Sequence, residues 1–205
     1  MILLELFPTV VGVLDYEPFD REAPAWRAEI QRALRERQER SGTAYRQTDD
    51  RLHERPELVR LVEFFQSAGE EYLRALRCSS GLALRIQCCW ATVALQHDSF
   101  ELHQHANSFL SGAFYLDVED GAEPILFRDP RAQNRTVDLA VEEELRINQK
   151  YYRISPRNGR LIVFPAWLEH RVGANQSTVP RVSMSFNMTV HGELGSTERL
   201  SRTVL

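Results

Sequence analysis

From residue 81 to residue 190 the chain is written almost entirely in the period of β-structure, and this constrains its fold more than any other feature. Short runs of β-branched and aromatic residues recur there, separated by turn signals. Leu82 to Leu95 reads as one long strand or two, Phe109 to Val118 as another, and Pro124 to Arg128 as a third after the Glu119-Asp120-Gly121 turn. Tyr151 to Ile154 and Arg160 to Phe164 flank Pro156-Arg157-Asn158-Gly159, whose Asn-Gly pair is a hairpin signal. Arg181 to Val190 closes the series, and residues 132–149 read as a loop or short helix over the sheet. Evenly spaced short strands predict a sandwich or barrel.

Residues 1–80 have a different texture. Thr9 to Leu14 reads as a strand, and Pro24 to about Arg40 as a helix with Pro24 in its first position and Ser41-Gly42 as its stop. Pro56 opens a second helix, in which Leu58, Leu61, Val62, Phe65, Tyr72, Leu73 and Leu76 recur at helical spacing until Cys78-Ser79-Ser80-Gly81. No repeat or linker divides the 205 residues. The expectation is a single domain over 1–205: a strand with buttressing helices in 1–80, a β core in 81–190 and a tail in 191–205.

Composition excludes some functions. A net charge of −4 gives no global grip on nucleic acid or an anionic membrane. No apolar run reaches the ~18 residues a bilayer span needs, and the opening, cut by Glu5 and Pro8, does not read as a signal peptide. Three cysteines, two of them adjacent, point to reduced thiols and a cytoplasmic setting.

The chemistry lies with the histidines. His103 and His105 would share one face of a strand, and His170 follows the apolar run from Arg160. Imidazoles gathered on a β-scaffold suit Fe, Zn, Cu or Ni. In Arg181 to Asn187, the alternation sets Arg181, Ser183, Ser185 and Asn187 on one face and Val182, Met184 and Phe186 on the other. The polar face reads as the lining of a cavity in which Arg181 can grip a carboxylate, or as a solvated edge.

These residues carry a resemblance. His103-x-His105, Ser111 to Leu116, Phe127-Arg128-Asp129-Pro130-Arg131, Phe164 to His170 and Arg181 to Asn187 occur in the order found in the 2-oxoglutarate- and iron(II)-dependent oxygenases. The chain is similar to a bacterial group of them that is largely without assigned substrates. The resemblance implies a double-stranded β-helix, the jelly roll of the cupins, with helices against one sheet. It implies Fe(II), 2-oxoglutarate and O₂, with His103, His105 and His170 as catalytic metal ligands. Arg181 and Ser183 would bind the far carboxylate of 2-oxoglutarate, with Tyr115 and Asn187 in the same cofactor-binding set. The expected reaction is hydroxylation of an unactivated C–H in a small amino acid, a natural-product intermediate or a peptide side chain, releasing succinate and CO₂. The expected partner is a small-molecule substrate, with no nucleic acid or membrane, and a homodimer is the base-rate oligomer.

The resemblance has two departures. The family usually places a carboxylate where this chain has His105, so the metal takes a third imidazole or His105 stands aside. Asp98, Glu101 and Glu169 are the nearby substitutes. His97-Asp98 replaces glycines, which the group uses for close backbone approach or positive φ. Two further readings stay open. One is a Zn or Ni cupin-like hydrolase, isomerase or ligand-binding protein that does not use 2-oxoglutarate; the other is a non-catalytic jelly-roll module. His53, His191, Arg128, Arg131, Cys88 and Cys89 read as structural or surface residues.

Overall fold

The computed structural model describes the chain except for residues 3, 44, 45, 120, 121, 132–135, 137–139, 197 and 199. Two antiparallel sheets face each other. The first orders its strands β1 (Gly12–Asp15), β7 (Arg160–Pro165), β4 (Leu110–Asp117), β9 (Arg181–His191) and β2 (Ala83–Ala94). The second orders β3 (Phe100–His103), β8 (His170–Val172), β5 (Ile125–Arg128) and β6 (Tyr151–Ile154). This is the jelly roll that the resemblance implies, within the sandwich-or-barrel class expected from the strand series. The tail adds a small pair, β10 (Glu193–Leu194) with β11 (Thr203–Val204).

The helices α1 (Phe19–Ser41) and α2 (Val59–Ala75) cover the outer face of the first sheet. α2 presents Leu61, Phe65, Ala68, Tyr72 and Leu73 to it, at the spacing the sequence shows. Close packing depends on two glycines. A Cβ on Gly69 would stand 2.6 Å from Met188 Sδ, and one on Gly112 would stand 2.2 Å from Phe186 Cζ. The Phe186 ring fills that space and stacks on Phe65 at 4.6 Å. Phe114 adds edge contacts to Trp26 and Phe65 from the neighbouring strand. β9 therefore turns Met184, Phe186 and Met188 into this outer core, which commits Arg181, Ser183, Ser185 and Asn187 to the space between the sheets.

Three sequence expectations change. α1 begins at Phe19 and carries Pro24 inside it, because Phe19 and Ala23 already bury an apolar turn before the proline. The run from Arg160 does not carry His170 at its end. β7 stops at Pro165, a tight turn closes with Leu168 N–H on the Pro165 carbonyl, and His170 opens β8 in the opposite sheet. β3 was not distinguished as an element, and it ends at His103, so His105 lies beyond the strand. Asp120 and Gly121 of the expected turn and part of 132–149 lie outside the described residues; the Ala122 N–H donates to the Glu119 carbonyl at 3.1 Å. The described part of 132–149 contains turns and no helix.

β2 has a register shift between Ile86 and Cys88. The extra residue lets Cys89 join the buried core while Cys88 faces the inner side, near Asn187. The cysteines are free thiols, as expected. Among the described residues, no helix is long and apolar enough to cross a membrane.

Candidate metal centre and co-substrate pocket

The second sheet assembles the histidines. β3 and β8 run antiparallel with His103 directly opposite His170, which brings their ring centroids to 4.3 Å. His105 joins them by another route than strand alternation. Its backbone N–H donates to the Ala166 carbonyl at 2.9 Å, pinning it to the turn that leads into β8. Its ring then lies 5.3 Å from His103 and 5.1 Å from His170. One ring nitrogen of each residue falls within 4.8 Å of the others. His170 is buried, His105 half-buried and His103 exposed, so the cluster opens on the His103 side.

Each imidazole has its Nδ1 committed to oxygen. His103 Nδ1 lies 2.6 Å from the Glu101 carbonyl, and His170 Nδ1 lies 2.9 Å from that of Leu168. His105 Nδ1 lies 2.6 Å from Asn187 Oδ1 and 2.7 Å from Ser111 Oγ. A carbonyl only accepts, so Nδ1 carries the proton and Nε2 keeps its lone pair for the cluster. Burial depresses the basicity of His105, and it lowers the pKa of His170 to about 4. Both are therefore neutral at physiological pH, the form that binds metal. The donor set fits a divalent transition ion: three imidazole nitrogens, oriented from behind and open on one side.

Two of the carboxylates near in sequence, Asp98 and Glu169, pair with arginines. Arg46 holds both oxygens of Asp98 at 2.7 and 2.6 Å, Glu169 lies 3.4 Å from Arg128, and Glu101 contributes its backbone carbonyl to His103. His97 adopts φ +70°, the left-handed conformation for which a glycine is better suited, with its N–H on the Asn175 carbonyl. Arg131 pairs with Asp129, His191 with Thr189, and His53 sits in a short 3-10 turn.

Arg181 lies at the other end of the inter-sheet space. It is only 4% exposed, and its guanidinium stacks 5.5 Å from the centroid of Phe100, which pairs with Val172 on the two strands that carry His103 and His170. Burial lowers its pKa, while Tyr115 and the Glu123 carboxylate act on it in the opposite sense. A buried cation of this kind destabilises the fold unless an anion meets it. Tyr115 and Ser183 sit opposite each other on β4 and β9, next along the same face. Burial raises the Tyr115 hydroxyl to about 12, so it stays protonated and able to donate, and Arg181 is the nearest charge acting on it. Asn187 is not with this group, because its amide oxygen is taken by His105 and Ser111. Ser111, whose hydroxyl contacts both His105 and Asn187, is a residue that the sequence reading gave no individual role.

Residues 88–187 match the model of the family described as "Putative 2OG-Fe(II) oxygenase". That stretch, just under half of the chain, is similar to the 2OG-Fe(II) oxygenases. The family's cofactors are Fe(II), 2-oxoglutarate and O₂, and the three-histidine cluster offers the metal its place. Solved structures of this class share the fold. SnoK, a non-heme α-ketoglutarate-dependent carbocyclase from nogalamycin biosynthesis, is 19% identical with TM-score 0.61, over 96% of this chain and 89% of its own. HygX from Streptomyces hygroscopicus, solved with nickel and 2-oxoglutarate bound, is 14% identical with TM-score 0.58, over 88% of this chain and 82% of its own. A prolyl-4-hydroxylase from Pseudomonas putida is 13% identical with TM-score 0.57, over 88% of each chain. No curated protein sequence matches significantly.

Proposed function

We propose that this protein is a 2OG-Fe(II) oxygenase that hydroxylates an unactivated C–H of a small molecule, an amino acid or a natural-product intermediate, with residues 1–205 acting as one unit. In the overall reaction the substrate C–H, O₂ and 2-oxoglutarate give the alcohol, succinate and CO₂. His103, His105 and His170 hold Fe(II) through Nε2. When bound, the iron supplies O₂ activation coupled to decarboxylation of 2-oxoglutarate.

The protein's own residues bind and orient. Arg181 takes the far carboxylate of 2-oxoglutarate in a charge-assisted grip, while the Ser183 and Tyr115 hydroxyls donate beside it. The paired strands β3 and β8 set the span between that grip and the histidines: Phe100 precedes His103 by three residues, about 10 Å of strand. Phe127 and Phe164 pack on the His170 ring at 6.0 and 4.7 Å and keep water from its buried side.

The observation that carries this reading is Arg181, a guanidinium only 4% exposed on the inward face of β9, the face whose Asn187 touches the histidine cluster. A Zn or Ni hydrolase has no use for such a cation there. Arg181→Ala tests the reading. 2-Oxoglutarate affinity is expected to fall at least tenfold, since a charge-assisted bond contributes about 1.5–3 kcal/mol. Bound iron should stay near the wild-type level, and equal loss of both would remove the role from Arg181. Carbocyclisation, the activity in SnoK's title, is a second outcome for the same residues. Product analysis separates it from hydroxylation, because only hydroxylation adds an oxygen atom to the product.

A further inference from the structure

We propose that Asn187, assisted by Ser111, is the positioning residue that makes His105 a metal ligand. This rests on the reading in which the three histidines hold the metal. A carboxylate at the position of His105 could offer either oxygen in almost any rotation. An imidazole cannot, because one tautomer and one ring orientation present Nε2 and the alternatives present a proton or a carbon.

The first sheet supplies that selection. Ser111 and Asn187 are register partners on β4 and β9, so their side chains rise together from the sheet floor. Asn187 Oδ1 accepts from His105 Nδ1 at 2.6 Å and from the Ser111 hydroxyl at 2.7 Å. Having given its proton to Asn187, Ser111 turns a lone pair toward His105 Nδ1, 2.7 Å away. The single Nδ1 proton of His105 is thus enclosed by two acceptors. The Asn187 amide is itself held the right way round, with its Nδ2 directed at Cys88 Sγ, 3.5 Å away. Trp90 meets the His105 ring edge-on at 6.0 Å and Phe164 lies at 6.4 Å, which limits ring rotation.

His103 and His170 take their orientation from backbone carbonyls within their own strand and turn. His105 takes its orientation from two side chains of the facing sheet. Asn187 therefore acts through His105 and does not bind 2-oxoglutarate. Because its partner is a neutral amide, the third donor is a neutral imidazole, and the site adds no negative charge to the metal.

The test is Co(II) binding to the apoprotein, followed by calorimetry and by the visible spectrum, which reports the coordination number. Asn187→Leu is expected to weaken binding about 10–100-fold, the usual effect of removing a ligand's outer partner, with a spectrum like that of His105→Ala. Asn187→Asp keeps the acceptor and restores both affinity and spectrum. In a His105→Ala background, Asn187→Leu adds no further loss. A folded Asn187→Leu protein with wild-type affinity, or an equal loss in the His105→Ala background, overturns the proposal. Should Asn187→Leu not fold, Ser111→Ala carries the same cycle, with a smaller loss that must also vanish without His105. His103→Ala and His170→Ala tell the two readings apart. If they leave Co(II) binding intact, the three-histidine site itself is wrong. If they abolish binding while the Asn187 and Ser111 variants have no effect, only the role given to Asn187 falls.

Discussion

At the scale of single residues, the site is built from contacts of two kinds. His103, His170 and Arg181 were legible in the sequence because spacing and residue type announce them. The cradle of His105 was not, since its bond to Asn187 joins residues 82 apart and exists only once β4 and β9 are in register. Arg181 gives a sharp prediction here. Arg181→Lys keeps the charge but loses the planar fork, so 2-oxoglutarate affinity should fall between wild type and Arg181→Ala. Calorimetric titration with 2-oxoglutarate checks the order, and a lysine variant equal to wild type would show that charge alone matters. At His97 the backbone is the feature that departs from the ordinary. Its φ of +70° was anticipated only as a property of the glycines it replaces.

At the scale of elements, the long strands were readable and the short ones were not. β2 and β9 are long enough to show alternation and β4 and β7 are nearly continuous buried runs, whereas β3 and β8, at four and three residues, are too brief to show a period. Those two short strands hold the paired histidines. The packing of α2 on the first sheet makes its own prediction. Gly112→Ala would drive a methyl into the Phe186 ring, whose atoms lie 2.2–2.8 Å from the new Cβ. Overpacking of this kind destabilises by about 1–3 kcal/mol, read as a fall in Tm of roughly 2–12 °C for a chain of this size. An unchanged Tm would mean that the ring yields freely. Pro24→Ala should act the other way. Pro24 is exposed within α1 and leaves the Asp20 carbonyl without its helical donor, so the alanine should raise Tm by a few degrees.

At the scale of the whole molecule, the site lies between two sheets and joins them. His103 and His170 belong to the second sheet, while His105 is tethered to Ser111 and Asn187 of the first. A metal held by all three ties both layers together and stabilises only the folded chain. At about 100 times its dissociation constant it should add ~2.7 kcal/mol, a rise in Tm of about 5–11 °C that a chelator reverses. His105→Ala should lose most of that rise, while its Tm without metal changes far less. In the proposed reading Arg181, on the inward face of the same space, takes the far carboxylate of 2-oxoglutarate. Strand alternation made the polar face of β9 legible, but only the outer core of Met184, Phe186 and Met188 decides that this face turns inward.

The most direct test of the central claim is an anaerobic titration of the apoprotein with Fe(II) and then 2-oxoglutarate, following the weak visible charge-transfer band of the chelate. The account predicts a band that saturates with 2-oxoglutarate, disappears in His103→Ala and His170→Ala, and requires a much higher 2-oxoglutarate concentration in Arg181→Ala. Stoichiometric iron binding with no band at any 2-oxoglutarate concentration would contradict it.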